Sequence, residues 1–147
     1  MRAAHVPSVS FFVRGPHDAS GFHPFPSMND VIAANRSGYG VGNRLKRRMT
    51  ELVATRCREV MAETGWVAPM GPVEVSFTWH EVWRGRDVDN VMSAQKFVLD
   101  GMVEAGMLRG DSQRYVPRPP AHGIVIDREH PGVTVEVSRI EEENGGD

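Results

Sequence analysis

The sequence predicts one α/β domain (equally describable as α+β), in the order β-α-β-α-β-β around one mixed sheet. Three observations predict it. Two segments carry apolar residues at helical spacing, and four read as strands. The 15 glycines and 10 prolines cluster between those segments. A length of 147 residues suits a single domain, and an apolar share of 40% is enough for a core. The domain is expected over residues 1–140, followed by a short acidic tail, 141–147.

Val9 to Val13 (VSFFV) reads as a short strand ended by Gly15-Pro16. Pro16 to Asn43 is rich in Gly, Pro, Ser and Asn. It is too long for an ordinary connection, so a functional or mobile loop is expected. Asn29 within it, in Ser27-Met28-Asn29-Asp30, is expected in a turn or helix cap. Arg44 to Thr64 is predicted helical, because Leu45, Met49, Leu52, Val53, Val60 and Met61 recur at spacings of three, four and seven. Asn43 is the expected N-cap, and Gly65 the stop.

Val73 to Trp79 alternates apolar and polar residues, the pattern of a half-buried strand. The alternation slips at Glu81 to Trp83, where a bulge is expected. A second helix is expected from Asn90 to Ala105, capped by Asp89 or Asn90 and ended by Gly106. After the proline-rich stretch Val116 to Pro120, Gly123–Ile126 and Val133–Val137 read as a hairpin turning at His130-Pro131-Gly132. The tail from Glu141 to Asp147 is expected to be disordered.

Composition narrows the function classes. The single cysteine, Cys57, forms no intrachain disulfide and is expected to be a buried apolar residue. No apolar run approaches the roughly 20 residues a bilayer requires, and no signal-peptide core precedes Pro7, so a cytoplasmic protein is expected. The net charge of −2 is uneven. Setting aside the four acids of the tail leaves +2 for the rest. Arg44 to Glu59 holds six bases, among them Arg44, Lys46, Arg47 and Arg48, against two acids. That run is either a polyanion-binding face or an ordinary solvated helix face.

The chemistry-bearing segment is Arg84-Gly85-Arg86-Asp87-Val88-Asp89-Asn90. Asp87 and Asp89 would point the same way on extended backbone, where a strand hands over to a helix. Paired carboxylates repel unless a cation intervenes, and a hard divalent ion such as Mg²⁺ takes such oxygens with waters in its remaining positions. Arg84 and Arg86 could hold a phosphodiester beside it. The alternative is a helix cap beside a turn. An EF-hand fails, because Val91 and Met92 stand where a third oxygen ligand and a glycine are needed. Lys96 lies seven residues past Asp89, close to two helical turns, and can stabilise charge building on a phosphate or simply pair with Asp100. Asp111 follows the Gly106 stop, in Arg109-Gly110-Asp111-Ser112-Gln113, and reaches the start of that helix only if the chain folds back.

Weaker signals are set aside. Gly38-Tyr39-Gly40-Val41-Gly42 lacks the lysine and spacing of a P-loop. His17 and His23 share a loop with no third ligand, so no zinc site is expected, and His80 is expected on ordinary surface.

Asp87-Val88-Asp89-Asn90, Lys96 through Gly101 (KFVLDG), Glu104-Ala105-Gly106 and Asp111-Ser112-Gln113 together resemble the signature of the RusA-type Holliday junction resolvases. That family carries D-x-D-N, a lysine, a helical LDG or LDA stretch, an AG turn and a final acidic pair. The likeness covers Arg84 to Val116. It implies metal-binding and catalytic acids at Asp87, Asp89 and Asp111, with Asn90 supporting the motif and the essential lysine at Lys96. It also implies a homodimer that cleaves four-way DNA with Mg²⁺ (Mn²⁺ as substitute) by paired symmetric nicks. Such proteins are frequent in phages and prophages. Arg44, Lys46, Arg47, Arg48, Arg84 and Arg86 are the expected DNA-binding residues, and no membrane or small-molecule cofactor is expected. The sequence departs from the family at two points. Lys96 lies three residues further from D-x-D-N than usual, with Ser93 at the usual place, and Gly110 replaces the first acid of the final pair. A junction-binding protein with reduced or no cleavage is the competing expectation. A protein unrelated to DNA, with a purely structural cap at Asp89, is the third.

Overall fold

The computed structural model describes residues 6–141. Its elements are β1 (Ser8–Arg14), β2 (His17–Asp18), β3 (Gly21–Phe22), α1 (Met28–Ser37), α2 (Val41–Thr64), β4 (Val73–Glu81), α3 (Val88–Ser93), α4 (Gln95–Glu104), β5 (Ala121–Ile126) and β6 (Gly132–Arg139). The expected mixed α/β domain is what forms. The four long strands make one sheet in the order β1-β6-β4-β5. β6 runs antiparallel to both β1 and β4, and β5 runs parallel to β4. Residues 142–147 lie outside the described residues, and with them the expected acidic tail apart from Glu141.

Strand alternation builds the core. Val9, Phe11 and Val13 on β1, Val75, Phe77 and Trp79 on β4, and Val133, Val135 and Val137 on β6 all point to one face and are buried. Met49, Val53, Cys57 and Val60 of α2, and Phe97, Val98 and Met102 of α4, complete the same cluster. The two helices cross closely at Gly101, where a Cβ would stand 2.6 Å from the Val53 side chain. Cys57 is fully buried as expected, and burial pushes its thiol pKa up to about 12.

Five expectations are corrected. Pro16–Asn43 is not a structureless loop. It holds the β2–β3 hairpin and α1, whose N-cap Ser27 and third residue Asp30 form a capping box. Asn29 therefore lies inside a helix. The N-cap of α2 is Gly40, in the left-handed region at φ 76°, and not Asn43. β4 has no bulge: the alternation runs on to Glu81, which takes an inward position and is buried. The helix after β4 is broken at Ala94 into α3 and α4 and begins at Val88. Finally, β5 and β6 are not a hairpin, because β5 returns through α3 and α4 to lie parallel to β4, a crossover that parallel pairing requires. Gly65 and Gly106 do end their helices, both at positive φ.

Candidate active site

The segment 82–90 leaves the end of β4 and enters α3. Arg86 is drawn inward. Its Nη1 lies 3.2 Å from Glu81 Oε1 and donates to Phe25 O at 3.1 Å. Burial raises the Glu81 pKa, and the Arg86 guanidinium opposes that rise. The pair is imperfectly satisfied, since Glu81 Oε1 lies off the N–H line and Arg86 Nη2 has no partner among the described residues. Arg86 thus braces the segment through Nη1, which faces Glu81 and Phe25 O, while Nη2 stays without a partner among the described residues. Arg84, two residues earlier, is exposed and enters no ion pair among the described residues.

Asp87 is the N-cap residue of α3, extended at φ −61° and ψ 143°, yet its side chain makes no capping hydrogen bond. Asp89 is in the first helical turn. The extended backbone expected to align the two therefore stops at Asp87. Both carboxylates are exposed, and neither enters an ion pair among the described residues. Asn90 has a structural partner that the sequence does not announce: its Oδ1 accepts from Asn29 Nδ2 at 2.6 Å. Ser93 adds a second tie, accepting from Met28 N at 3.0 Å. The start of α1 is thereby fastened to α3, which gives Asn29 and Ser93 positioning roles.

Lys96 and Asp111 meet. Lys96 Nζ is 3.0 Å from Asp100 Oδ1 and 4.0 Å from Asp111 Oδ2. The chain folds back after Gly106 because Met107 and Leu108 are buried and Trp66 Nε1 donates to Met107 O at 2.9 Å. Tyr115 then covers Gly110, where a Cβ would stand 2.8 Å from its ring. Asp100 and Asp111 both hold the Lys96 ammonium, and its pKa is raised, mainly by the hydrogen bond to Asp100. Asp87, Asp89 and Asp111 do not gather: among the described residues, no three His, Cys, Asp or Glu side chains converge as a metal-ion site.

Of the expected DNA-binding residues on α2, Arg44, Arg47 and Arg48 are exposed and Lys46 is half-buried. None of the four is taken by an ion pair among the described residues, whereas Arg56 further along is held by Glu59 and Glu63. His80 is not ordinary surface. It is 18% exposed, with Nε2 2.9 Å from Thr134 Oγ1 and Nδ1 3.5 Å from Asp127. No helix among the described residues is long and apolar enough to cross a membrane. No family model matches the chain, and no curated protein matches it. The resemblance over Arg84 to Val116 thus rests on its own motifs.

Proposed function

We propose that this protein is a Mg²⁺-dependent, structure-selective endodeoxyribonuclease. It resolves four-way DNA junctions as a homodimer in the bacterial cytoplasm, host- or phage-encoded. The observation that carries the reading is the approach of Lys96 Nζ to within 4.0 Å of Asp111 Oδ2. A lone helix cap and a lone turn aspartate would require no such return of the chain, while a phosphodiester site needs a cation and an acid at one place.

Asp87 and Asp89 would supply the oxygens of a Mg²⁺ site. They are exposed, unpaired carboxylates, and that ion commonly takes one or two carboxylates and leaves the rest of its positions to water and phosphate. Asp111 does not join them as a third ligand in this arrangement. When bound, the ion would polarise the phosphate and lower the pKa of water. Lys96 stabilises charge on the phosphate, and Asp111 holds the lysine and is the acid available to the attacking water. Arg44, Lys46, Arg47, Arg48 and Arg84 grip the backbone, while Arg86 Nη1 faces Glu81.

The reading is tested with Asp87→Asn on a synthetic four-way junction. Mg²⁺-dependent nicking should vanish while junction binding persists. Retained nicking would sink it. One observation favours a second reading, a junction binder that does not cut: Lys96 lies nearer Asp100 than Asp111. That protein would bind junctions with a steep salt dependence and nick them in neither Mg²⁺ nor Mn²⁺.

A further inference from the structure

The segment leading into the carboxylates carries a side chain that phosphate chemistry does not use. Trp83 is 59% exposed. Its indole lies against Gly85, where any Cβ would run into the ring, so a glycine makes its place and burial does not. Trp83 lines a groove of about 520 Å³ with Val88, and with Ile124 and Ile126 of β5. That volume lies within the roughly 300–1,000 Å³ of small-molecule pockets. Val88 stands between Asp87 and Asp89, so the groove adjoins the two carboxylates. Glu81 and Arg86 also line it, and Glu81 Oε1 and Arg86 Nη2 have no hydrogen-bond partner among the described residues. Arg84, next to Trp83, lines the groove too, and it is exposed with no ion pair among the described residues.

We infer that this groove takes one unpaired nucleobase of the bound DNA, stacked on Trp83, with Arg84 on a neighbouring phosphate. Resting on the endonuclease reading of the adjacent carboxylates, with which the groove shares Arg84 and Arg86, such a seat gives that site its preference for branched over linear DNA.

Three observations select a base over other occupants. The exposed aromatic face suits a flat ring, and stacking is open to all four bases. The free Arg84 beside it suits the phosphate that comes with every base, whereas an apolar protein surface would leave that charge unmatched. The lining also keeps an acceptor and a donor unused. The pairing edge of every base offers an N–H and an acceptor side by side, and an aliphatic side chain offers neither. That edge is occupied in linear duplex and comes free where pairing opens, as at a crossover. Trp83 is therefore a specificity residue and not a catalytic one.

Binding of the full chain in EDTA tests this without any cleavage. Two four-way junctions are compared, one with a single unpaired nucleotide at the crossover and one with an abasic residue at that nucleotide. The wild type should bind the first about tenfold to a hundredfold more tightly, the effect of one stacked base. Trp83→Ala, with an unchanged circular-dichroism spectrum, should bind both as the wild type binds the abasic one. Gly85→Ala, which displaces the indole without removing it, should do the same, and Trp83→Phe should keep much of the preference. Equal wild-type affinity for the two junctions overturns the inference, as does a preference that survives in Trp83→Ala. Shielding of Trp83 from acrylamide on raising the protein concentration without DNA would assign the groove to a second copy and overturn it as well. The two readings fail separately. Base preference with no nicking in Mg²⁺ sinks the endonuclease and keeps the base seat, and nicking without base preference does the reverse.

Discussion

Arg86 and Lys96 lie ten residues apart, and the sequence offers both as cations for a DNA phosphate. The fold treats them differently. The Arg86 side chain is 22% exposed and faces the Glu81 carboxylate at 4%. The Lys96 side chain is 50% exposed and faces Asp111 at 40%. A half-buried guanidinium facing a buried acid holds structure together. A half-exposed ammonium between two acids can exchange one of them for a phosphate at little cost. Motif spacing does not distinguish these cases, whereas the parity of β4 does, because it turns Glu81 inward five residues before Arg86.

The contrast is broken most severely at Arg86. Arg86→Ala leaves the Glu81 charge buried without its partner, and urea unfolding should show a loss of about 3 kcal/mol. The pH dependence has a definite sign. Glu81 has a raised pKa in the folded state, so the folded protein binds the proton more tightly than the unfolded chain. Stability therefore falls as pH rises from the ordinary glutamate range through the raised value. In Arg86→Ala that decline should extend to higher pH. An unchanged unfolding midpoint with lost junction binding would instead make Arg86 a DNA contact with no bracing role. Lys96→Ala should show the opposite profile. Its pairs are solvent-exposed, so stability should move by less than about 0.5 kcal/mol, while the single-turnover nicking rate falls roughly 10²-fold.

A smaller effect sharpens the Lys96–Asp111 side. Gly110→Asp restores the acid that the resembled family carries but drives a Cβ into the Tyr115 ring, and should cost about 1–2 kcal/mol. Tyr115→Ala should relieve most of that cost in a double-mutant cycle. The smallest effect is at His122. Its Nδ1 accepts from Trp79 Nε1 at 2.9 Å, and burial lowers its pKa. The folded state thus disfavours the proton, and stability should be lost gradually as pH falls below the ordinary histidine value of about 6.5. His122→Gln should flatten that part of the pH profile, read by thermal unfolding.

The parts of the fold legible in the sequence are those set by strong periodicity. α2, β1, β4 and β6 follow from their apolar spacing, and Gly65 and Gly106 mark real helix ends. α1 is hidden because only Val31 of its ten residues is buried, which leaves no apolar stripe to read; its capping box, Ser27 with Asp30, was the available signal. The place of β5 is not local information, since a six-residue apolar run pairs equally well with β6 or with β4. At the candidate site, the Lys96–Asp100 pair is where the spacing puts it, whereas Asp87 and Asp89 are exposed but not aligned on extended backbone, because α3 begins between them. The Asn29–Asn90 bridge and the return of Asp111 depend on contacts across 61 residues and across a buried turn, which no spacing rule carries.

The central claim is that this chain cuts branched DNA with a metal held at Asp87 and Asp89. The most direct test is cleavage of a mobile four-way junction against matched linear duplex, in Mg²⁺, Mn²⁺ or EDTA, by wild type and Asp87→Asn side by side. The account predicts symmetric nicks confined to the junction, made only by the wild type and only with a divalent ion. Junction binding without nicks in either metal, or nicks that survive in Asp87→Asn, would contradict it.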